Sequence, residues 1–249
     1  MTELTSKVAV LERVAALGPF FAFEEHATDP APELPWHSMS ELVDDPSVLQ
    51  DRVTQTQAYL AAAGDQSPED IEVRVAASIT HLGLVARLIS PALALATLDA
   101  GIPSVTLEQV RWQPVLGGAF PLSLPDSPYS LQAAAPQQLA DRLSADLFRG
   151  PIPALAKATE PFAVSAHILR GNTASAINGA ATALANAAPH LAERAAHLAS
   201  LLLSTPPLRD THTTFPDTGR FRRRSCCLIY RAAPDHNGPL CGDCALTHA

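Results

Sequence analysis

Four cysteines, Cys226, Cys227, Cys241 and Cys244, fall within the last 24 residues of a 249-residue chain, in the pattern C-C-x13-C-x2-C. A thiolate is the ligand form of cysteine, and metal binding itself drives the deprotonation. Three chemistries could use such a set. A structural zinc site takes four thiolates in a closed tetrahedron, usually from two C-x2–4-C knuckles, and only Cys241 to Cys244 has that spacing. A dithiol redox pair could use Cys241-Gly-Asp-Cys244, but it leaves the vicinal pair idle and no thioredoxin-like βαβ pattern surrounds it. A [2Fe–2S] cluster spreads four thiolates over two irons, a larger object that tolerates adjacent ligands better than one small ion does. The spacing therefore favours a cluster over zinc. A structural disulfide framework would be spread through a small secreted domain rather than gathered in one tail.

Arg222, Arg223, Arg224 and Arg231 bracket the first cysteine pair. Each electron added to an iron–sulfur centre deepens its negative charge, so positive charge at these positions would favour the reduced state and raise the potential. The same run also reads as a solvated, screened surface. Between the pairs, Pro234-Asp-His-Asn-Gly-Pro239 is turn-forming. His236 within it leaves mixed Cys/His ligation open.

The ending Cys226-Cys227-Leu-Ile-Tyr-Arg231 … Leu240-Cys241-Gly-Asp-Cys244-Ala-Leu resembles the C-terminal signature of the FhuF-like ferric-siderophore reductases, which carry a [2Fe–2S] cluster on C-C-x10-C-x2-C. Leu88-Ile-Ser-Pro91 is similar to that family's helix before its mid-chain strands, and Leu169-Arg-Gly-Asn-Thr-Ala-Ser175 to a Gly-Asn helix start, with Arg170 where an aromatic is usual. The spacer here is 13 residues rather than 10, a length that a turn-forming loop can absorb by bulging outward. The resemblance implies a one-electron reductase of Fe(III) held by a siderophore, of hydroxamate type. It implies Cys226, Cys227, Cys241 and Cys244 as the cluster ligands, no catalytic residue beyond the cluster, and a helical body that binds the siderophore. Hydroxamate oxygens are hard ligands that prefer Fe(III), so reduction would let the iron leave. No Gly-rich phosphate loop and no flavin or nicotinamide fingerprint is present, so the electron would come from a separate donor.

The elements that must position the tail read as mostly helical. With 47% hydrophobic and 17% charged residues the chain can bury a real core. Residues 1–204 hold 11 Lys/Arg against 21 Asp/Glu, while 205–249 hold six Arg against four Asp; the net −8 argues against a nucleic-acid partner. Leu4, Val8, Leu11 and Ala15 predict a first helix, and residues 47–63 a second that Gly64 closes. Ser67-Pro68 predicts a helix start, Pro91 a break at Ser90, and Gly101 the end of a further helix past Leu98. The apolar run from Leu82 to Leu98 is shorter than the ~20 residues of a membrane span and reads as buried. The alternation in Val105 to Trp112 and Phe120 to Leu124 predicts a hairpin or two short strands. Further helices are expected around Leu139 to Leu147, over 154–169, 172–188 and 189–204, with 12 alanines between Asn172 and Ala199 allowing close approach. Thr205 to Ser225 reads as a connector.

The expected class is thus α+β, mostly α-helical with a small mid-chain sheet or hairpin and a C-terminal cysteine-rich segment. It divides into a body over 1–204 and a cluster-binding tail over 205–249. Glu3, Lys7, Glu12 and Arg13 occupy the stretch where a signal peptide would need an apolar run, so a cytoplasmic location is expected. Asn172 reads as a helix cap, His81 as a hydrogen-bonded core histidine and Trp112 as core. Arg111 could touch a siderophore, and His190 and His197 could flank a ligand. The rival reading is non-enzymatic: an iron–sulfur or zinc centre that staples the tail onto a helical binding module. A third is kinship with siderophore-biosynthetic proteins, which would not need four cysteines.

Overall fold

The computed structural model describes residues 2–28, 31–100, 104–126, 134–215 and 219–247. The protein is mostly helical (55%) with a small mixed sheet, as its periodicity predicts. In chain order it runs α1 (Thr2–Ala15), β1 (Glu24–His26), β2 (His37–Ser38), α2 (Glu41–Asp44), α3 (Pro46–Ala63) and α4 (Val73–Thr97). Then come β3 (Arg111–Trp112), β4 (Leu122–Pro125), α5 (Pro136–Phe148), α6 (Pro151–Thr159), α7 (Ala166–Ala187), α8 (Ala192–Leu203), β5 (His212–Thr214) and β6 (Phe221–Arg223).

The apolar α4 is the axle of the fold, packed between α3 and α7. It passes through Pro91 without a break, against the sequence expectation. Proline in a helix interior costs about 3 kcal/mol, and the near-complete burial of residues 84–97 outweighs that cost. By length and composition α4 could cross a bilayer, yet 78% of its most apolar window lies inside the fold. Ser67-Pro68 starts only a 3₁₀ turn, Pro68–Asp70, closed by the Ser67 N–H on Asp70 Oδ2 at 3.1 Å; α4 begins afterwards. Gly101 lies outside the described residues.

The expected helix over 154–169 is two elements. Pro161 ends the first in a 3₁₀ turn (Glu160–Phe162), Ala163 takes a left-handed φ of 59°, and Ser165 caps α7 through the Ile168 N–H. Asn172 is therefore a residue of the α7 interior and no cap. The sheet has the order β1-β4-β3-β2, with β1 parallel to β4 and the other pairs antiparallel. The strand expected from Val105 shrinks to Arg111–Trp112, because Thr106 accepts from Gln109 and Val110 and folds the start of the run into a turn. The fully buried Arg87 guanidinium ties the sheet to the N-terminal segment, donating to the carbonyls of Phe120, Phe20 and Ala22 at 2.9, 2.6 and 2.9 Å. Trp112 is core, edge-on to Phe120. Within the expected connector, β5 and β6 pair as a hairpin, His212 opposite Arg223.

Candidate metal centre

The hairpin delivers the cysteines. The Arg224 N–H donates to the Thr211 carbonyl at 2.8 Å and the Arg223 N–H to the Asp243 carbonyl at 2.9 Å, so β6 is held by β5 on one side and by the C-x2-C knuckle on the other. Ser225 then presses onto α7 at Gly171. A Cβ on that glycine would stand 2.0 Å from Ser225 Oγ and 3.3 Å from its Cβ, so any other residue here would force the hydroxyl to rotate and the segment to shift by a few tenths of an ångström.

After the vicinal pair, Leu228 turns the chain with a left-handed φ of 73°, and its N–H donates to Cys226 Sγ at 3.3 Å. A 3₁₀ turn, Ile229–Ala232, docks on α3 and α4. Leu228 and Ala232 pack against Ala61, Ile71 and Val75, and Gln66 Nε2 donates to the Ala232 carbonyl at 2.8 Å. Arg231 pairs with Glu72. The loop over 234–240 is largely exposed and folds back through the Gly238 N–H on the Tyr230 carbonyl at 2.8 Å. The knuckle closes with the Cys244 N–H on the Cys241 carbonyl and the Leu246 N–H on Cys244 Sγ at 3.4 Å.

All four sulfurs thereby come together, within 3.7–4.3 Å. Cys226 faces Cys244 at 3.8 Å and Cys227 faces Cys241 at 3.7 Å, and the thiols of Cys226 and Cys227 also hydrogen-bond each other. A tetrahedral centre with metal–sulfur bonds of about 2.3 Å sets its ligands about 3.8 Å apart. The four thiols could thus hold a metal ion or a cluster, and the spacing fits a zinc ion and the paired ligands of one iron alike. Among the described residues no group of three or more His, Cys, Asp or Glu side chains, the cysteines included, is arranged as a formed metal site. Hydrogen bonds from Cys226 and Cys241 hold the Cys227 thiol well below its ordinary range, with Arg223 adding to the effect; Cys226 and Cys241 are pushed up in turn.

Of the four candidate arginines, Arg223 alone meets a sulfur. Its side chain is fully buried: Nη2 donates to Cys241 Sγ at 3.1 Å, Nη1 to Asn172 Oδ1 at 2.9 Å, and Nε lies 3.7 Å from Asp243 Oδ1. Burial works against its charge, but Cys227, Asp243 and Cys241 outweigh burial and raise its pKa. Arg222 lies over the Phe215 ring and donates to the Thr247 carbonyl, while Arg224 is exposed and donates to Thr213 Oγ1. His236 faces outward, its Nδ1 2.8 Å from the Arg231 carbonyl oxygen and away from the sulfurs. His190 and His197 are exposed on and before α8, and Arg111 sits on the sheet.

Sequence reasoning missed what anchors Arg223. Asn172, fully buried, donates through Nδ2 to the Ser78 carbonyl of α4 at 2.9 Å while accepting from Arg223, and Asp243 Oδ2 accepts from Ser175 Oγ at 2.5 Å. The available signal was an asparagine on the same helical face as Leu169 and Ala176, where only apolar side chains belong. His81 is core as expected, but neither ring nitrogen has a hydrogen-bond partner among the described residues.

The chain matches no protein-family model, and no curated protein matches it either.

Proposed function

We propose that the chain binds a [2Fe–2S] cluster on Cys226, Cys227, Cys241 and Cys244 and acts as a cytoplasmic ferric-siderophore reductase. The observation that carries this reading is the convergence of four thiols within 3.7–4.3 Å, with the buried Arg223 guanidinium donating to one of them, Cys241. When bound, the group would supply one electron to the Fe(III) of a hydroxamate chelate and regain it from a separate one-electron donor, Fe(II) then leaving ligands that hold it less well. Arg223 offsets the negative charge that an added electron brings, and does so inside the fold, where solvent screens it little. The Leu228 and Leu246 N–H groups, aimed at Cys226 and Cys244, act in the same direction. The resemblance of the cysteine tail to the FhuF-like reductases agrees with this chemistry.

The near-equal sulfur spacing supports a second reading, a zinc centre that staples the tail to α3, α4 and α7. Metal analysis and electron paramagnetic resonance separate the two. The reductase reading expects about two irons and two acid-labile sulfides per chain, red-brown colour that bleaches with dithionite, and a paramagnetic reduced state. It also expects anaerobic reoxidation of the reduced protein by ferric hydroxamates. A colourless protein with one zinc per chain, or reduced protein that ferric hydroxamates leave reduced, overturns it.

A further inference from the structure

The first turns of α7 anchor the cysteine segments through Gly171, Asn172 and Ser175, while its alanine-rich C-terminal half and α8 wall a trough beside them. Ala181 and Ala185 of α7 face Ala192 and Ala196 of α8 across a cavity of 420 Å³, and the β5–β6 hairpin closes one side with His212 stacked on Phe221, ring centroids 5.1 Å apart. The small side chains leave this space unfilled. Along Asn178, Thr182 and Asn186 the cavity runs into a second opening of 600 Å³ that reaches Gly242 and Asp243 of the cysteine knuckle. Ligand pockets usually measure roughly 300–1,000 Å³.

Three glycines from separate segments line the second opening: Gly179 on α7, Gly219 before β6 and Gly242 between Cys241 and Cys244. A Cβ on any of the three would meet nothing within 4 Å. The backbone that carries two of the four thiols is therefore bare toward the trough. The lining mixes apolar surface with polar groups, the amides of Asn178 and Asn186 and the Thr182 hydroxyl along one wall; Arg220 and Asp243 are its charged residues, and the Asp243 carboxylate accepts from Ser175. Such a lining offers donors, acceptors and apolar surface to a molecule rich in amide-like groups.

We propose that this trough is where the iron chelate rests while it receives its electron, an assignment that depends on the reductase reading above. One electron moves from the reduced centre to the chelated Fe(III), giving Fe(II), and the chain forms or breaks no bond. The test uses a gallium(III) trihydroxamate, which binds like the ferric complex but accepts no electron, titrated into the purified full-length protein by calorimetry. Gly179→Leu fills the trough and replaces a helical glycine, which favours folding; Ala187→Leu adds the same bulk to α7 outside it. The expected result is a saturable complex that Gly179→Leu weakens at least tenfold and Ala187→Leu leaves unchanged. No complex with the wild-type protein, or equal affinity in Gly179→Leu, overturns the trough. If ferric hydroxamates also reoxidise the dithionite-reduced Gly179→Leu protein at the wild-type rate, the reductase reading stands and only the site falls. Tight, Gly179-dependent binding by a protein that holds zinc leaves the trough as a binding site and removes the electron transfer.

Discussion

Arg223 and Asn172 meet inside the protein, guanidinium to amide at 2.9 Å, and through this bond a residue of the cysteine hairpin is tied to the central helix pair. The guanidinium is held on one side by the asparagine and on the other by the Cys241 sulfur, so it is fixed in place rather than free to turn to solvent.

Replacing that cation tests whether it acts on the metal. A buried unit charge a few ångströms from the centre is worth a few kcal/mol at an effective dielectric near 20. Arg223→Gln is expected to lower the midpoint potential of the bound cluster by on the order of 100 mV. Arg223→Lys should recover part of the shift, keeping the charge but losing the fork that spans Asn172 and Cys241. A potentiometric titration followed by paramagnetic resonance reads the result, and equal potentials in all three proteins would assign Arg223 to structure alone.

Asn172→Ala removes an acceptor from Arg223 and a donor from the Ser78 carbonyl in one step. Buried groups left unpaired, one of them charged, predict a loss of about 2–4 kcal/mol of unfolding free energy. Urea denaturation measures it; a loss below about 1 kcal/mol would mean that water or a rearranged neighbour satisfies the pair.

The contact between Gly171 and Ser225 predicts a rescue. Gly171→Ala drives a methyl group onto Ser225, turning its hydroxyl aside and pushing the cysteine segment from α7, with an expected cost of roughly 1–3 kcal/mol and reduced metal content. Adding Ser225→Gly to that variant removes the obstructing side chain and should restore most of both. If the double variant is no better than Gly171→Ala, the close approach is not what the glycine serves.

His81 predicts acid sensitivity. Burial lowers its pKa from 6.5 to about 4. Above pH 6.5 the ring is neutral in both folded and unfolded chains and costs nothing. As pH falls through that window the unfolded chain takes a proton that the fold refuses, and roughly 3 kcal/mol of stability is lost by pH 4. His81→Leu should flatten the stability profile between these values, and an unchanged slope would show that other groups carry it.

The clustering of the four cysteines was legible because their spacing along the chain already groups them, and the longer helices were legible because periodicity survives in α1, α3, α5 and α8. What it hid was long-range or very short. Asn172 stands 51 residues before the arginine it holds, and Ser78 a further 94 positions from Asn172 on another helix, so nothing local separates that residue from a helix cap. β1 and β2, with three and two residues, are too short to show alternation. Pro91 would end a solvent-exposed helix, and only burial on every side lets α4 continue through it.

The outer cysteines, 226 and 244, face each other, as do the inner ones, 227 and 241, so the two segments close like nested brackets around whatever they hold. Protease nicking in the exposed stretch between them would therefore leave the terminal peptide clasped to the body as long as the inorganic part is in place. Chelation would then shed that peptide, and a change in mass on a denaturant-free column would report the loss.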